Sequence, residues 1–227
     1  MRIAAIIPTL NEAAVIEDTL RTLQSLRAAG NLIVVVDGGS ADQTVALATP
    51  LADAVVLAPR GRASQMNAGA GAVDAQAYLF LHADSRLPDG GAEAVATALS
   101  SEKRVWGRFD IRIDGRSRWL PVVAAMMNVR SRATGIATGD QAIFVTCDAF
   151  RAVGGYPNWP LMEDIGLSQA LKRLSPPAAL RLRVTTAGRR WDTYGPVRTI
   201  ALMWWLRLRF FLGATPEHLA SHYPSVR

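Results

Sequence analysis

The chain has 227 residues, 50% of them hydrophobic and 19% charged, with a formal net charge of +6. This composition supports a sizeable core and excludes global disorder. The positive balance, rich in arginine, suits an anionic partner such as a nucleotide or an anionic lipid, and general basicity explains it equally well.

The first hundred residues alternate between strand and helix signals. Arg2–Ile7 is a short apolar run ended by Pro8 and reads as a strand. Glu12–Ala29 has helical spacing at Val15, Ile16, Leu20, Leu23 and Leu26, and Gly30 closes it. Leu32–Val36 is a β-branched run suited to a strand covered on both faces. Further segments follow in the same rhythm: a helix over Gln43–Thr49, a strand at Ala54–Leu57, a helix at Ser64–Val73, a strand at Tyr78–Leu81 and a helix at Gly91–Leu99. The order predicts a mainly parallel sheet with helices on both faces.

Beyond Ser100 the pattern loosens. Val105–Ile113 alternates as a strand, Trp119–Val129 reads as a helix or lid, Gln141–Thr146 as a strand and Glu163–Leu174 as a helix. Pro176-Pro177 marks a turn. Arg198–Leu212 is an aromatic, basic helix candidate containing Trp204 and Trp205; it packs on the core or a partner, or lies in a membrane interface. The divisions expected are 1–100 for ligand binding, 101–195 for the second half of the same domain, and 196–227 as an amphipathic helical segment.

One cysteine, Cys147, excludes an intrachain disulfide and a cysteine-built metal site. A reducing, cytoplasmic setting fits that usage. The opening run is too short for a signal peptide, and no apolar stretch is long enough to span a bilayer.

Polar residues cluster where the predicted strands end, the position at which open α/β sheets bind ligands. Pro8, Thr9, Asn11 and Glu12 follow the first strand; capping of the next helix is their simplest role. Asp37-Gly38-Gly39-Ser40 follows the second strand, and its glycines permit close approach to a phosphate, although D-G-G-S is also a common turn. Arg60 and Arg62 stand at a helix entrance, placed to meet phosphate oxygens or merely solvent. His82 and Asp84 follow the fourth strand on one face of an extended segment. Asp84 is the better ligand for a phosphate-handling divalent ion, Mg²⁺ or Mn²⁺. Glu163-Asp164 either complements a helix dipole or supplies a general base.

In order, I-I-P-T-L-N-E, V-V-V-D-G-G-S-A-D, R-G-R-A-S-Q-M-N-A-G, L-F-L-H-A-D-S, G-D-Q-A-I-F and M-E-D span about residues 3–170. This set resembles family 2 glycosyltransferases of the GT-A fold, and more closely a compact bacterial subgroup with L-H-A-D in place of the D-x-D motif. The resemblance implies a single GT-A domain with a helical C-terminal appendage. It implies a nucleotide-diphosphate sugar donor, an acceptor that the sequence leaves unnamed, and no nucleic acid.

By the same resemblance, Pro8, Thr9 and Glu12 lie around the base, with Asp37 at the base or ribose. Arg62 and Asn67 lie near the nucleotide or diphosphate, and Asp84 on a Mn²⁺ or Mg²⁺ ion. His82 departs from the first Asp of D-x-D. Asp140, Gln141 and Glu163 line the donor-sugar and acceptor side. Asp164 is the expected base of an inverting, single-addition transfer. Arg189-Arg190-Trp191 is only a partial echo of the processive Q-x-x-R-W motif.

Two other readings compete. A sugar-phosphate nucleotidyltransferase would need a Gly-rich, Lys-containing phosphate loop near the first strand, which Pro8–Glu12 does not supply. A non-catalytic membrane-surface protein would rest on 198–212, peripheral on the inner face of a membrane and drawn to anionic lipid.

Overall fold

The computed structural model describes residues 1–101 and 103–223. In chain order the elements are β1 (Ile3–Thr9), α1 (Ile16–Thr22), α2 (Gln24–Ala28), β2 (Leu32–Asp37), α3 (Thr44–Ala48), β3 (Ala54–Leu57), α4 (Arg62–Gly71), β4 (Ala77–Phe80), β5 (Ser85–Arg86) and α5 (Gly91–Leu99). They continue with β6 (Trp106–Asp114), α6 (Leu120–Thr134), β7 (Phe144–Thr146), α7 (Cys147–Ala152), α8 (Glu163–Lys172), β8 (Ala178–Ala187), α9 (Arg189–Tyr194), α10 (Pro196–Phe211) and α11 (Pro216–Ala220). Residues 224–227 of the expected C-terminal segment lie outside the described residues.

The eight strands of the described residues join one sheet in the order β3-β2-β1-β4-β7-β6-β8-β5. The sheet is mixed, which corrects the expected mainly parallel arrangement. β1 to β4 run parallel as the alternating pattern required. β7 then enters antiparallel to both β4 and β6, β8 runs parallel to β6, and β5 pairs antiparallel to β8. α6 separates β6 from β7 although the two pair antiparallel, so a strand–helix–strand rhythm in the sequence does not reveal that the strand direction has reversed.

The sheet is buried on both faces, and the side-chain period of two sorts its residues. Ile3, Ala5, Ile7, Ile33, Val35 and Leu79 pack with Ile16, Leu20 and Leu23 of the α1–α2 segment and Val95 of α5. Ala4, Ile6, Val34, Val36, Tyr78 and Phe80 pack on the other side with Met66 of α4, Phe150 of α7 and Leu167 of α8. α4 approaches so closely that a Cβ at Gly69 would lie 2.6 Å from Ile6 and 2.7 Å from Val36. Only glycine permits that distance between helix and strand.

Several boundaries differ from expectation. The helix expected over Glu12–Ala29 breaks at Leu23 into α1 and α2. Ala178–Ala187, where Arg181 and Arg183 interrupt the apolar pattern, is a ten-residue strand that the spacing does not predict. α10 is not merely an appendage: its Leu206 is fully buried among Ile136, Met162 and Ile165. Its outer side remains exposed, with Trp204, Leu208 and Phe211 all uncovered.

Candidate active site

The carboxyl ends of β1 and β4 open into a cleft of about 310 Å³, walled by the start of α8 and by α6, α9 and α10. It gathers Pro8, Thr9, Glu12, Arg62, His82, Asp84, Asp140, Glu163 and Asp164 of the residues singled out by sequence. Asp37, Asn67 and Gln141 are not among its lining residues.

Those three residues are occupied in shaping its surroundings. Asp37, 1% exposed, accepts hydrogen bonds from the backbone N–H groups of Gly39 and Ser40 at 2.9 and 2.8 Å, and from the Ser40 hydroxyl. Its carboxylate holds the β2–α3 turn. The Asn67 side chain donates to Tyr156 O at 2.8 Å and accepts from Tyr156 N at 2.9 Å, tying α4 to the loop after α7. Gln141 is fully buried in a capping box with Thr138, closing a short 3-10 turn at 139–141.

One end of the cleft holds a bridged pair of acids. Asn11 adopts a positive φ of 51°, and the Glu12 N–H donates to the Thr44 hydroxyl, so the loop after β1 is fastened to the start of α3. Glu12 and Asp84 both accept from the same nitrogen of Arg189, at 3.0 and 2.7 Å. Arg189 begins α9, immediately after β8. The backbone joins the two sides as well, with Ala187 N–H donating to Asp84 O at 3.3 Å.

The other end is a denser mixture of charge. Met162, in the left-handed region at φ 66°, turns the chain into α8 and presents Glu163-Asp164. Asp164 accepts from Gly139 N–H at 2.9 Å and from Ile165 N–H at 2.7 Å. Burial and the neighbouring Asp164 charge push the Glu163 carboxyl up to about 7. Asp140 behaves oppositely. Burial opposes its ionisation, but the hydrogen bond and charge of His82, with Arg62 and Arg190, bring it down to about 2. Arg62 is likewise penalised by burial, yet Glu163, Tyr223, Asp140 and Asp164 together hold it more firmly charged than an ordinary arginine. The guanidinium of Arg190 stacks over Tyr223 at 4.0 Å.

Sequence reasoning did not single out Gln65, Arg130, Arg189, Arg190, Arg207 or Tyr223, all of which line the cleft. Arg189 and Arg190 had a signal in the partial R-R-W echo. Gln65 lies within the quoted R-G-R-A-S-Q-M-N-A-G stretch; its side chain donates to the carbonyls of Thr9 and Val36 at 2.8 and 2.7 Å. The two helix arginines and Tyr223 have no local pattern that separates them from solvated residues.

The fit of a divalent ion is decided by the acidic pair. Among the described residues no three His, Cys, Asp or Glu side chains converge on one point. Glu12 and Asp84 do enclose a cation, the Arg189 guanidinium. A magnesium-like ion bound through one or two carboxylates and completed by phosphate oxygens and water suits such a pair. His82 is turned away from it, toward Asp140 at 3.2 Å.

A strand-end cleft combining acids with arginines, on a mixed sheet flanked by helices, is suited to an anionic ligand and to acid–base chemistry. Residues 4–154 match the family described as glycosyl transferase family 2, and the chain belongs to that family. No curated protein matches the sequence.

Solved structures share the fold at low identity. S. aureus TarS 1-349 is 17% identical, with a TM-score of 0.67 over 89% of this chain and 65% of that one. Glucosyl-3-phosphoglycerate synthase from Mycobacterium tuberculosis, in complex with Mn²⁺, UDP and phosphoglyceric acid, is 20% identical, with a TM-score of 0.65 over 89% of this chain and 74% of that one. The mannosyltransferase PcManGT from Pyrobaculum calidifontis, in complex with GDP-Man and Mn²⁺, is 19% identical, with a TM-score of 0.64 over 100% of this chain and 66% of that one. The chain spans less than two thirds of the length of the TarS chains.

Proposed function

We propose that the protein transfers one sugar from a nucleotide-diphosphate sugar to an acceptor hydroxyl, with inversion. The observation that carries this reading is the division of one cleft into a cation-binding acid pair, Glu12 and Asp84, and a separate half-buried carboxylate, Asp164. L-H-A-D is taken as this chain's counterpart of D-x-D, with Asp84 as its acid. The ligands held by the M. tuberculosis and P. calidifontis proteins support a nucleotide donor with Mn²⁺ or Mg²⁺.

In this reading Pro8 and Thr9 face the base, while Glu12 and Asp84 hold the divalent ion. When bound, the ion supplies positive charge to the departing diphosphate. Arg189 moves from the two carboxylates toward the diphosphate and shares that neutralisation. Asp164 accepts the proton of the acceptor hydroxyl, whose oxygen attacks the anomeric carbon opposite the leaving group. Gly139 N–H and Ile165 N–H fix the Asp164 carboxylate for that role. His82 and Asp140 border the sugar, and the protonated share of Glu163 near neutral pH limits repulsion beside Asp164.

The test is a thermal-shift panel of nucleoside diphosphates and sugar nucleotides with and without Mn²⁺, followed by transfer assays on Asp164→Asn. One nucleotide should stabilise the protein specifically. The variant should retain that shift and lose at least about a hundredfold in transfer. Absence of any nucleotide shift would overturn the donor assignment, and full transfer by the variant would overturn the base.

A peripheral membrane position, on the cytoplasmic face, belongs to the same proposal. α10 contains no acidic residue, carries Arg198 and Arg209 exposed outside the cleft, and exposes Trp204, Trp205, Leu208 and Phe211. That combination suits an anionic lipid surface. No helix among the described residues is long and apolar enough to cross a membrane. Sedimentation with phosphatidylglycerol vesicles, reduced in Trp204→Ala/Phe211→Ala, is the expected result; equal sedimentation of both proteins would remove the helix from this role.

A further inference from the structure

Most cations of the cleft have an evident counter-charge. Arg189 bonds Asp84 and Glu12, and Arg62 lies in the field of Glu163, Asp140 and Asp164. Arg130 of α6 and Arg207 of α10 lie in the field of Asp164 and Asp140 as well, but there burial outweighs the acids and holds both guanidinium groups below the ordinary arginine value. Both line the cleft. Nε and Nη2 of Arg130 are buried with no hydrogen-bond partner. Arg207 makes no hydrogen bond or ion pair among the described residues.

The two arginines also oppose each other. Burial and the charge of Arg207 bring Arg130 down to about 10. Burial lowers Arg207 too, while Asp164 and Asp140 work to keep it charged. Two partly desolvated guanidinium groups on separate helices repel each other, and each carries a burial cost. An oxyanion between them would satisfy the stranded donors and remove the repulsion, and planar guanidinium groups match the oxygens of phosphate well.

The electrostatic influence of Asp164 and Asp140 on these arginines places the pair on the Asp164 side. The diphosphate of the proposed donor is assigned to Glu12, Asp84 and Arg189. We infer that the acceptor itself carries a phosphate group, gripped by Arg130 and Arg207 so that its hydroxyl meets Asp164. This inference rests on the transferase reading for the word acceptor, but the phosphate subsite stands on its own geometry. The phosphate belongs either to a small soluble ester or to a lipid headgroup. The second source would lay its chain against the exposed Met126 and Val129 of α6 and Trp204 and Leu208 of α10.

The experiment uses the full chain saturated with the nucleoside diphosphate that gives the largest thermal shift, so that the donor position is filled. Glycerol 3-phosphate and vesicles of phosphatidic acid in phosphatidylcholine are the probes, with glycerol and pure phosphatidylcholine vesicles as controls. Wild type should bind a phosphate probe in preference to its control, and Arg130→Gln/Arg207→Gln should bind it at least about tenfold more weakly. The nucleotide shift of the variant should be unchanged. Binding of glycerol 3-phosphate assigns a soluble source, and binding of phosphatidic acid vesicles alone assigns a lipid source. If the double variant does not fold, Arg207→Gln alone carries the same comparison. Failure of both phosphate probes on wild type, or equal binding by the variant, overturns the inference. If no nucleotide binds, the same probes are applied to the free protein, and a phosphate response there separates failure of the donor reading from failure of this one.

Discussion

Nδ1 of His82 lies 3.2 Å from a carboxylate oxygen of Asp140, so the histidine of L-H-A-D faces the turn at 139–141 and not its neighbour Asp84. Gly139 makes room for it: a Cβ there would fall 2.7 Å from His82 Nε2. Gly139→Ala is therefore expected to destabilise the protein by about 1–3 kcal/mol. In a His82→Ala background the same substitution should cost much less. Urea unfolding of the four proteins in the cycle measures the coupling; additive costs would show that the imidazole does not occupy that space.

Asn67 supplies a second test, since its side chain makes two hydrogen bonds to the Tyr156 main chain. Asn67→Ala should lower stability by about 1–3 kcal/mol by leaving those backbone groups unpaired. Nucleotide affinity, measured by calorimetry well below the melting temperature, should remain within about twofold of wild type. A large loss of affinity in a stable variant would return Asn67 to the donor site.

Glu163 makes a pH-dependent contribution whose sign is fixed by its raised pKa. Its carboxyl titrates near 7 in the fold against 4.5 as the ordinary value. Between these pH values the folded protein retains a proton that the unfolded chain has lost, so this contribution falls as pH rises. Glu163→Gln should consequently stabilise the protein by about 2 kcal/mol at pH 8 and have little effect below pH 4.5. Melting curves across that range would show the two proteins converging toward acid; a constant offset would contradict the assignment.

The acid pair at Arg189 predicts linked binding of metal and nucleotide. Mn²⁺ alone must compete with a covalently attached guanidinium, whereas a diphosphate gives Arg189 another partner. Mn²⁺ without nucleotide should therefore bind weakly, and the preferred nucleotide should tighten it about tenfold or more. Arg189→Ala should strengthen Mn²⁺ binding in the absence of nucleotide. Manganese electron paramagnetic resonance reads the free ion directly, and equal affinity in wild type and Arg189→Ala would dismiss the competition.

The legibility of the fold follows local regularity. β1 through β4 carry long β-branched or apolar runs separated by helical spacing, and each was visible. β8 was not, because arginines at 181 and 183 interrupt the apolar pattern of a strand near the sheet edge. β5, with two residues, contains no period at all. The cleft shows the same division. Glu12, His82, Asp84 and Asp164 follow or begin regular elements in recognisable motifs, whereas Arg130 and Arg207 meet only after α6 and α10 have folded over the sheet. Sequence spacing holds no trace of that encounter. Asp37 illustrates the reverse: a motif position whose carboxylate the fold has already engaged in a turn.

The short ladder between β5 and β8 aligns Ser85 with Thr186 and Arg86 with Thr185, directly beside the Asp84–Arg189 contact. A slip of one residue in that pairing would turn the β8 side chains to the opposite face. Two residue pairs thus act as a gauge: they set the distance at which a late segment of the chain delivers its positive charge to an early one. A single added residue between Thr186 and Arg189 would alter that setting at once.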